Sequence, residues 1–291
     1  MKLALFKTKG ESRIGLVHSG EIIDTGDSGL DLPASIPEVL HAGAELRQHL
    51  EGLFKSKARR YPLEEVNLQA PVPRPGKFLC VGLNYLDHIE ETGNQIPDRP
   101  TIFNKQITCV IGPGDAIHKP RVSDKLDYEG ELGMVIGRRC RHVAREQAPA
   151  VIGGYLIVND VSVRDWQVHS PTWTMGKSFD THGPTGPWLV TSDEIDPHSL
   201  DIKTWVNDDL RQSSNTRHLL FNCYYLVEYL STAFTLEPGD IISTGTSSGV
   251  GFRMTPRGYM KAGDTVKIEV EGIGVLENPV IEEPASTAFI D

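Results

Sequence analysis

The chain is poor in cysteine: Cys80, Cys109, Cys140 and Cys223 lie far apart, with no Cys-x-x-Cys. That spacing excludes a zinc-ribbon site and a disulfide framework. No apolar run reaches membrane-spanning length. The opening Met1-Lys2-Leu3-Ala4-Leu5-Phe6 is too short for the apolar part of a secretory signal and runs into Lys7 and Lys9. Positive charge is short as well, 29 Lys and Arg against 39 Asp and Glu, for a formal net charge of −10. This argues against a nucleic-acid or anionic-membrane partner. It leaves an anionic substrate open, because one bound cation reverses the field of a cleft. Repeats, low-complexity tracts and heptads are absent. A soluble protein of the reducing cytoplasm is the expectation.

Glycine and proline are plentiful, 28 and 19 in 291 residues, and the hydrophobic share is only 39%. That composition favours short strands and many turns over a helical bundle. Residues 2–8 and 13–24 read as a hairpin with a second turn at Ser19-Gly20. Residues 36–51 fit a helix with Ile36, Val39, Leu40, Leu46 and Leu50 on one stripe. The basic run at 55–60 reads as solvated surface. Three prolines within residues 71–75 read as a stiff linker. The expected division is a small N-terminal α+β domain, 1–70, and a larger domain, 71–291. Beyond the linker, strands are expected at 77–82, 100–105, 155–158, 241–244 and 266–271, with a hairpin over 200–212. Helices are expected at 83–91, at 144–152 ended by Gly153-Gly154, and at 222–234. The helix at 222–234 places Tyr225, Leu226, Tyr229, Leu230 and Ala233 on its core stripe. Residues 183–189 read as turns. The class is mostly β (α+β), with a rolled or barrel-like sheet.

The organising stretch is Asp127-Tyr128-Glu129-Gly130-Glu131, leading into Leu132, Met134 and Ile136. Side chains two apart on a strand share a face, so Glu129 and Glu131 point together. Two close carboxylates repel unless a cation joins them, and a divalent ion that prefers oxygen fits. A solvated acidic edge is the bland alternative. Asp160 ends the buried run 155–158, and a carboxylate there needs a partner. It is either a third metal ligand or the ion-pair partner of Arg164, four residues on. His88 and Glu91 stand three apart on the expected helix, a spacing that suits proton transfer or a plain surface pair. Lys177 reads as an ordinary exposed lysine. The loop 245–251 offers amides to an anion but lacks the lysine of a phosphate-binding loop, which disfavours a nucleotide.

Five blocks occur in register: Val81-Gly82-Leu83-Asn84-Tyr85 with His88 and Glu91, then 127–132, then Asn159-Asp160-Val161-Ser162 with Arg164-Asp165, then 176–180, then 243–251. Together they resemble the fumarylacetoacetate hydrolase family. The resemblance implies a β-roll, a homodimer, and magnesium or manganese, with calcium as a substitute. It implies Glu129, Glu131 and Asp160 as metal ligands, and His88, Glu91 and Lys177 as catalytic residues. It further implies that Tyr85, Arg164, Gln167 and Thr246 contact the bound acid. Leu83 stands where many acylpyruvate-cleaving members carry arginine. The implied activity is hydrolysis of a carbon–carbon bond in a 2,4-diketo acid, with Glu91 as the base that activates water. Decarboxylation or isomerisation of a 2-oxo diacid on the same site is the alternative. A non-enzymatic, calcium-stabilised binding protein is the rival outside enzymes.

Overall fold

Every residue of strand Gly130–Ile136 is buried. The computed structural model, which describes residues 1–29 and 32–290, pairs it antiparallel with Ile152–Asn159 on one side and Ile241–Thr246 on the other. A strand paired on both edges and packed on both faces carries apolar groups in both directions. Leu132, Met134 and Ile136 join Ile202, Val206, Val266, Ile268 and Leu226 in one core layer. Val135 faces the other layer with Leu156, Val158, Leu3, Leu16, Ile36 and Leu50.

The large sheet runs Arg60–Pro62, Glu21–Asp24, Glu11–His18, Lys2–Thr8, Gly183–Thr191, Ile152–Asn159, Gly130–Ile136, Ile241–Thr246, Phe78–Gly82 and Thr101–Asn104. A second sheet orders Asp209–Asn215, Asp201–Val206, Thr265–Val270, Gly274–Glu282 and Ile117–Lys119. The class is mostly β, as expected. The large sheet keeps two free ends among the described residues and does not close into a barrel. Strand Lys2–Thr8 pairs with Gly183–Thr191, so residues before 71 share a sheet and a core layer with those after it. No described helix is long and apolar enough to cross a membrane.

Several local expectations are corrected by packing. The helix over 36–51 divides into Ile36–His41 and Ala44–Leu53, parted at Gly43 with φ of +88°. Such a backbone is open to glycine and breaks the helical repeat. Gly153-Gly154 end no helix. Residues Arg145–Ala150 form a 3₁₀ turn, and the two glycines lie inside strand Ile152–Asn159. A Cβ on Gly154 would stand 2.4 Å from the Val190 carbonyl oxygen, so close strand approach is what demands glycine here. Gly183–Thr191 is a strand despite two prolines, and a register shift against Tyr155 and Ile157 interrupts the ladder there. Proline tolerates such an interruption because no amide is required of it. On helix Cys223–Ala233 the buried side is Cys223, Leu226, Val227, Leu230 and Ser231. Tyr225 is half-buried and carries the Arg145 guanidinium 4.5 Å from its ring centre.

Candidate active site

Strand register brings the three acids together. Gly130 lies opposite Asn159 and Glu131 opposite Val158. Asp160, one residue past its strand, then falls beside Glu129, and its amide donates to the Glu129 carbonyl at 2.9 Å. One carboxylate oxygen from each of Glu129, Glu131 and Asp160 lies within 4.8 Å of the others. All three are buried, Glu131 to 1% exposure and Asp160 to 0%, which rules out a solvated acidic edge.

Three cations surround them. Lys177 Nζ lies 2.8 Å from Glu129 Oε2 and 2.7 Å from Asp160 Oδ2. Lys105 Nζ lies 2.6 Å from Asp160 Oδ1 and also donates to the carbonyls of Val161 and Lys177. Arg164 bonds Asp127 Oδ2 at 2.8 Å and Glu129 Oε1 at 2.6 Å. The Asp160–Arg164 pair suggested by spacing is therefore absent, because the arginine turns to the acidic strand. Lys177 is 2% exposed, not a surface lysine.

Burial drives the charge states. Burial, then the Asp160 and Glu129 carboxylates, push the Glu131 carboxyl well above its ordinary range. Hydrogen bonds from Ser243 Oγ at 2.5 Å and the Gly245 amide at 2.8 Å offset this only in part. Burial also opposes the charge of Glu129, but Lys177 and Arg164 outweigh it and hold its pKa low. Burial opposes the charge of Lys177 too, and there Asp160 and Glu129 prevail, raising its pKa.

Above this cluster opens a cavity of about 270 Å³. His88, Glu129, Arg164, Gln167, Lys177 and Thr246 line it, with Leu83, Phe103, Trp173 and Phe252 among its apolar walls. His88 sits on helix Leu86–Thr92 with Nδ1 3.3 Å from Glu91 Oε2. Glu91 does not line the cavity, and its Oε1 accepts the Gly249 amide at 3.0 Å. The glycine-rich loop does cradle anions, but they are the chain's own: the Gly251 and Phe252 amides bond Asp127 at 2.9 and 2.8 Å.

The fumarylacetoacetate (FAA) hydrolase C-terminal family matches residues 77–281. The chain belongs to this family and is an enzyme of it. It is 39% identical to oxaloacetate tautomerase fahd2, mitochondrial, of Xenopus laevis, over 97% of this chain and 90% of the relative. Among solved structures, it is 37% identical to fumarylacetoacetate hydrolase from Exiguobacterium antarcticum, with a TM-score of 0.86, covering 97% of this chain and 100% of the other. A maleylpyruvate hydrolase from Sphingobium sp. SYK-6, in complex with manganese (II) ion and pyruvate, is 35% identical with a TM-score of 0.82, covering 98% and 100%.

For a fumarylacetoacetate hydrolase family enzyme the donor set suits a hard divalent cation. In an octahedral shell with ligands near 2.1 Å, opposite oxygens stand about 4.2 Å apart and adjacent ones about 3 Å. The three oxygens lie within 4.8 Å of one another, the outer edge of what one cation spans, since ligands at about 2.4 Å set opposite oxygens about 4.8 Å apart. The raised pKa of Glu131 marks a carboxyl short of positive charge, and both of its hydrogen bonds fall on Oε2.

Of the expected substrate contacts, Arg164, Gln167 and Thr246 reach the cavity. Arg164 Nη2 is buried without a protein partner, a donor free for a carboxylate. Gln167 Oε1 accepts from Arg164 Nη1 at 3.1 Å. Thr246 Oγ1 is already engaged, donating to the Gly130 carbonyl and accepting from Gln212. Tyr85 is fully buried in the core and does not line the cavity. Leu83 adopts φ of +57° and faces the cavity as part of its apolar wall. The residue missed from sequence is Lys105. Its only signal is its place at the polar end of an apolar strand, the same signal that marked Asp160.

Proposed function

We propose that the chain catalyses keto–enol interconversion of a small 2-oxo diacid of the oxaloacetate type. The observation that carries this reading is the division of the dyad: His88 faces the cavity, while Glu91 is held back on the Gly249 amide. That arrangement suits removal of a proton from substrate carbon better than activation of water by Glu91. A cavity of about 270 Å³ also suits a short acid. The tautomerase from Xenopus laevis, similar over nearly its whole length, supports the same choice.

In this mechanism His88 takes a proton from C3 of the 2-oxo acid. The C–H electron pair becomes the C2–C3 double bond, and the 2-oxo oxygen gains the negative charge. Return of a proton to that oxygen completes the enol, and return to C3 restores the ketone. Glu91 holds the imidazole in orientation. Lys177 supplies positive charge next to the developing oxyanion, where stabilisation counts most. Arg164, through its free Nη2, and Gln167 hold the 1-carboxylate. A divalent cation, held by Glu129, Glu131 and Asp160, would add Lewis-acid polarisation of the 2-oxo acid.

Hydrolysis of an acylpyruvate is the second reading, favoured by the likeness to maleylpyruvate hydrolase. It requires Glu91 to leave Gly249 and turn inward to a water. The deciding assay gives the manganese-loaded protein oxaloacetate and fumarylpyruvate separately. Faster loss of the oxaloacetate enol absorbance, with no pyruvate formed, supports tautomerisation. Pyruvate from fumarylpyruvate, with no effect on oxaloacetate, overturns it. Pyruvate and carbon dioxide from oxaloacetate would instead identify a decarboxylase.

A further inference from the structure

We propose that Arg253 and Arg257 recognise the second, distal carboxylate of the substrate. This rests on the 2-oxo diacid reading and extends it past Phe252, since neither arginine is part of the cavity wall itself. Phe252 lines the cavity, and three guanidinium groups surround its ring. Arg164 lies 5.7 Å from the ring centre, Arg253 5.2 Å and Arg257 5.1 Å. Arg164 is committed to Asp127 and Glu129. Among the described residues, neither Arg253 nor Arg257 has an acidic partner within ion-pair distance, and Arg253 Nε is buried without any partner.

Arg164 already has its two carboxylates, so the charge left to be met beside the ring is that of Arg253 and Arg257. Arg257 is exposed and solvated, but Arg253 is half-buried, and a ligand carboxylate would supply the counter-charge its guanidinium lacks. The two distances to the shared ring centre limit the Arg164 and Arg253 guanidinium carbons to about 11 Å apart. A four-carbon diacid holds its carboxylate carbons about 4 Å apart, and each forked guanidinium contact adds about 4 Å between carbons. In line these make about 12 Å, so such a diacid joins the pair with its contacts bent off one line. The loop is also preorganised, since Asp127 holds the Gly251 and Phe252 amides and Val250 accepts the Arg253 amide at 3.0 Å.

A purely structural role competes. A Cβ on Gly93 would stand 3.7 Å from Arg253 Nη2, so this arginine also lies by the C-terminus of helix Leu86–Thr92, where a cation is stabilising. The test compares oxaloacetate with its 4-ethyl ester, which keeps the 2-oxo acid and loses the distal charge. Binding of both to the manganese-loaded protein is measured by titration calorimetry, beside turnover. In Arg253→Ala the dissociation constant for oxaloacetate should rise about tenfold and that for the ester less than twofold. Arg257→Ala should show the same selectivity to a smaller degree, and Arg253→Lys should recover part of it. Equal loss for both ligands, or no loss for either, overturns the proposal. Wild-type protein that binds the diacid selectively but tautomerises neither compound overturns the proposed reaction and leaves the carboxylate site standing.

Discussion

The ammonium of Lys105 lies 2.6 Å from Oδ1 of Asp160, with both side chains closed off from solvent. Lys105 thereby fixes one oxygen of Asp160 and, through the Lys177 carbonyl, the turn that presents Lys177.

Removing one half of a buried ion pair leaves the other half uncompensated. Lys105→Met should cost about 3–5 kcal/mol of stability. Urea unfolding at pH 7 measures it. A loss below about 1 kcal/mol would show that Lys177 alone satisfies Asp160 and that Lys105 is dispensable.

The two members of the dyad should separate in mutagenesis. His88→Gln should lower kcat for oxaloacetate tautomerisation about a hundredfold or more, the usual scale of a general-base contribution. Glu91→Gln should cost about tenfold, as a group that orients its neighbour. Manganese binding should persist in both. A Glu91 variant as damaged as the His88 variant, measured with an acylpyruvate, would favour the hydrolytic reading.

His182 predicts an acid limb in the stability curve. It is fully buried, its Nε2 donates to the His118 carbonyl at 2.8 Å, and its Nδ1 has no partner. Burial pushes its pKa down to about 3. The unfolded chain takes up this proton near pH 6.5 and the folded chain only near its lowered value. The contribution is therefore fully present above about pH 6.5 and is lost as pH falls towards 3, by up to about 1.4 kcal/mol per pH unit. His182→Gln keeps a donor for His118 without the titration. Its unfolding free energy should fall less steeply between pH 6.5 and 4.5 than that of wild type. Parallel curves for the two proteins would contradict this.

Much of this was legible in the sequence because it is local. Alternation at Leu132, Met134 and Ile136 marks a strand, and two-residue spacing puts Glu129 and Glu131 together. The polar end of 155–158 exposes Asp160 as a residue in need of a partner. What was not legible depends on register between distant strands. Nothing in Phe103-Asn104-Lys105 announces that its lysine meets Asp160, 55 residues on. The spacing from Asp160 to Arg164 pointed to the wrong pair, because residues 160–164 do not form one continuous helix. Gly153 and Gly154 looked like a helix stop, since a close approach between strands leaves the same glycine signature as a turn. The family resemblance implies a substrate contact for Tyr85, yet the core encloses it.

Manganese binding tests the account most directly, because the proposed enolate chemistry depends on Glu129, Glu131 and Asp160 closing on one ion. Calorimetric titration of metal-free protein with manganese should give one site per chain, a raised Tm in the bound state, and no binding to Glu131→Gln. Failure of the wild type to bind, or equal binding by the Glu131 variant, would contradict it.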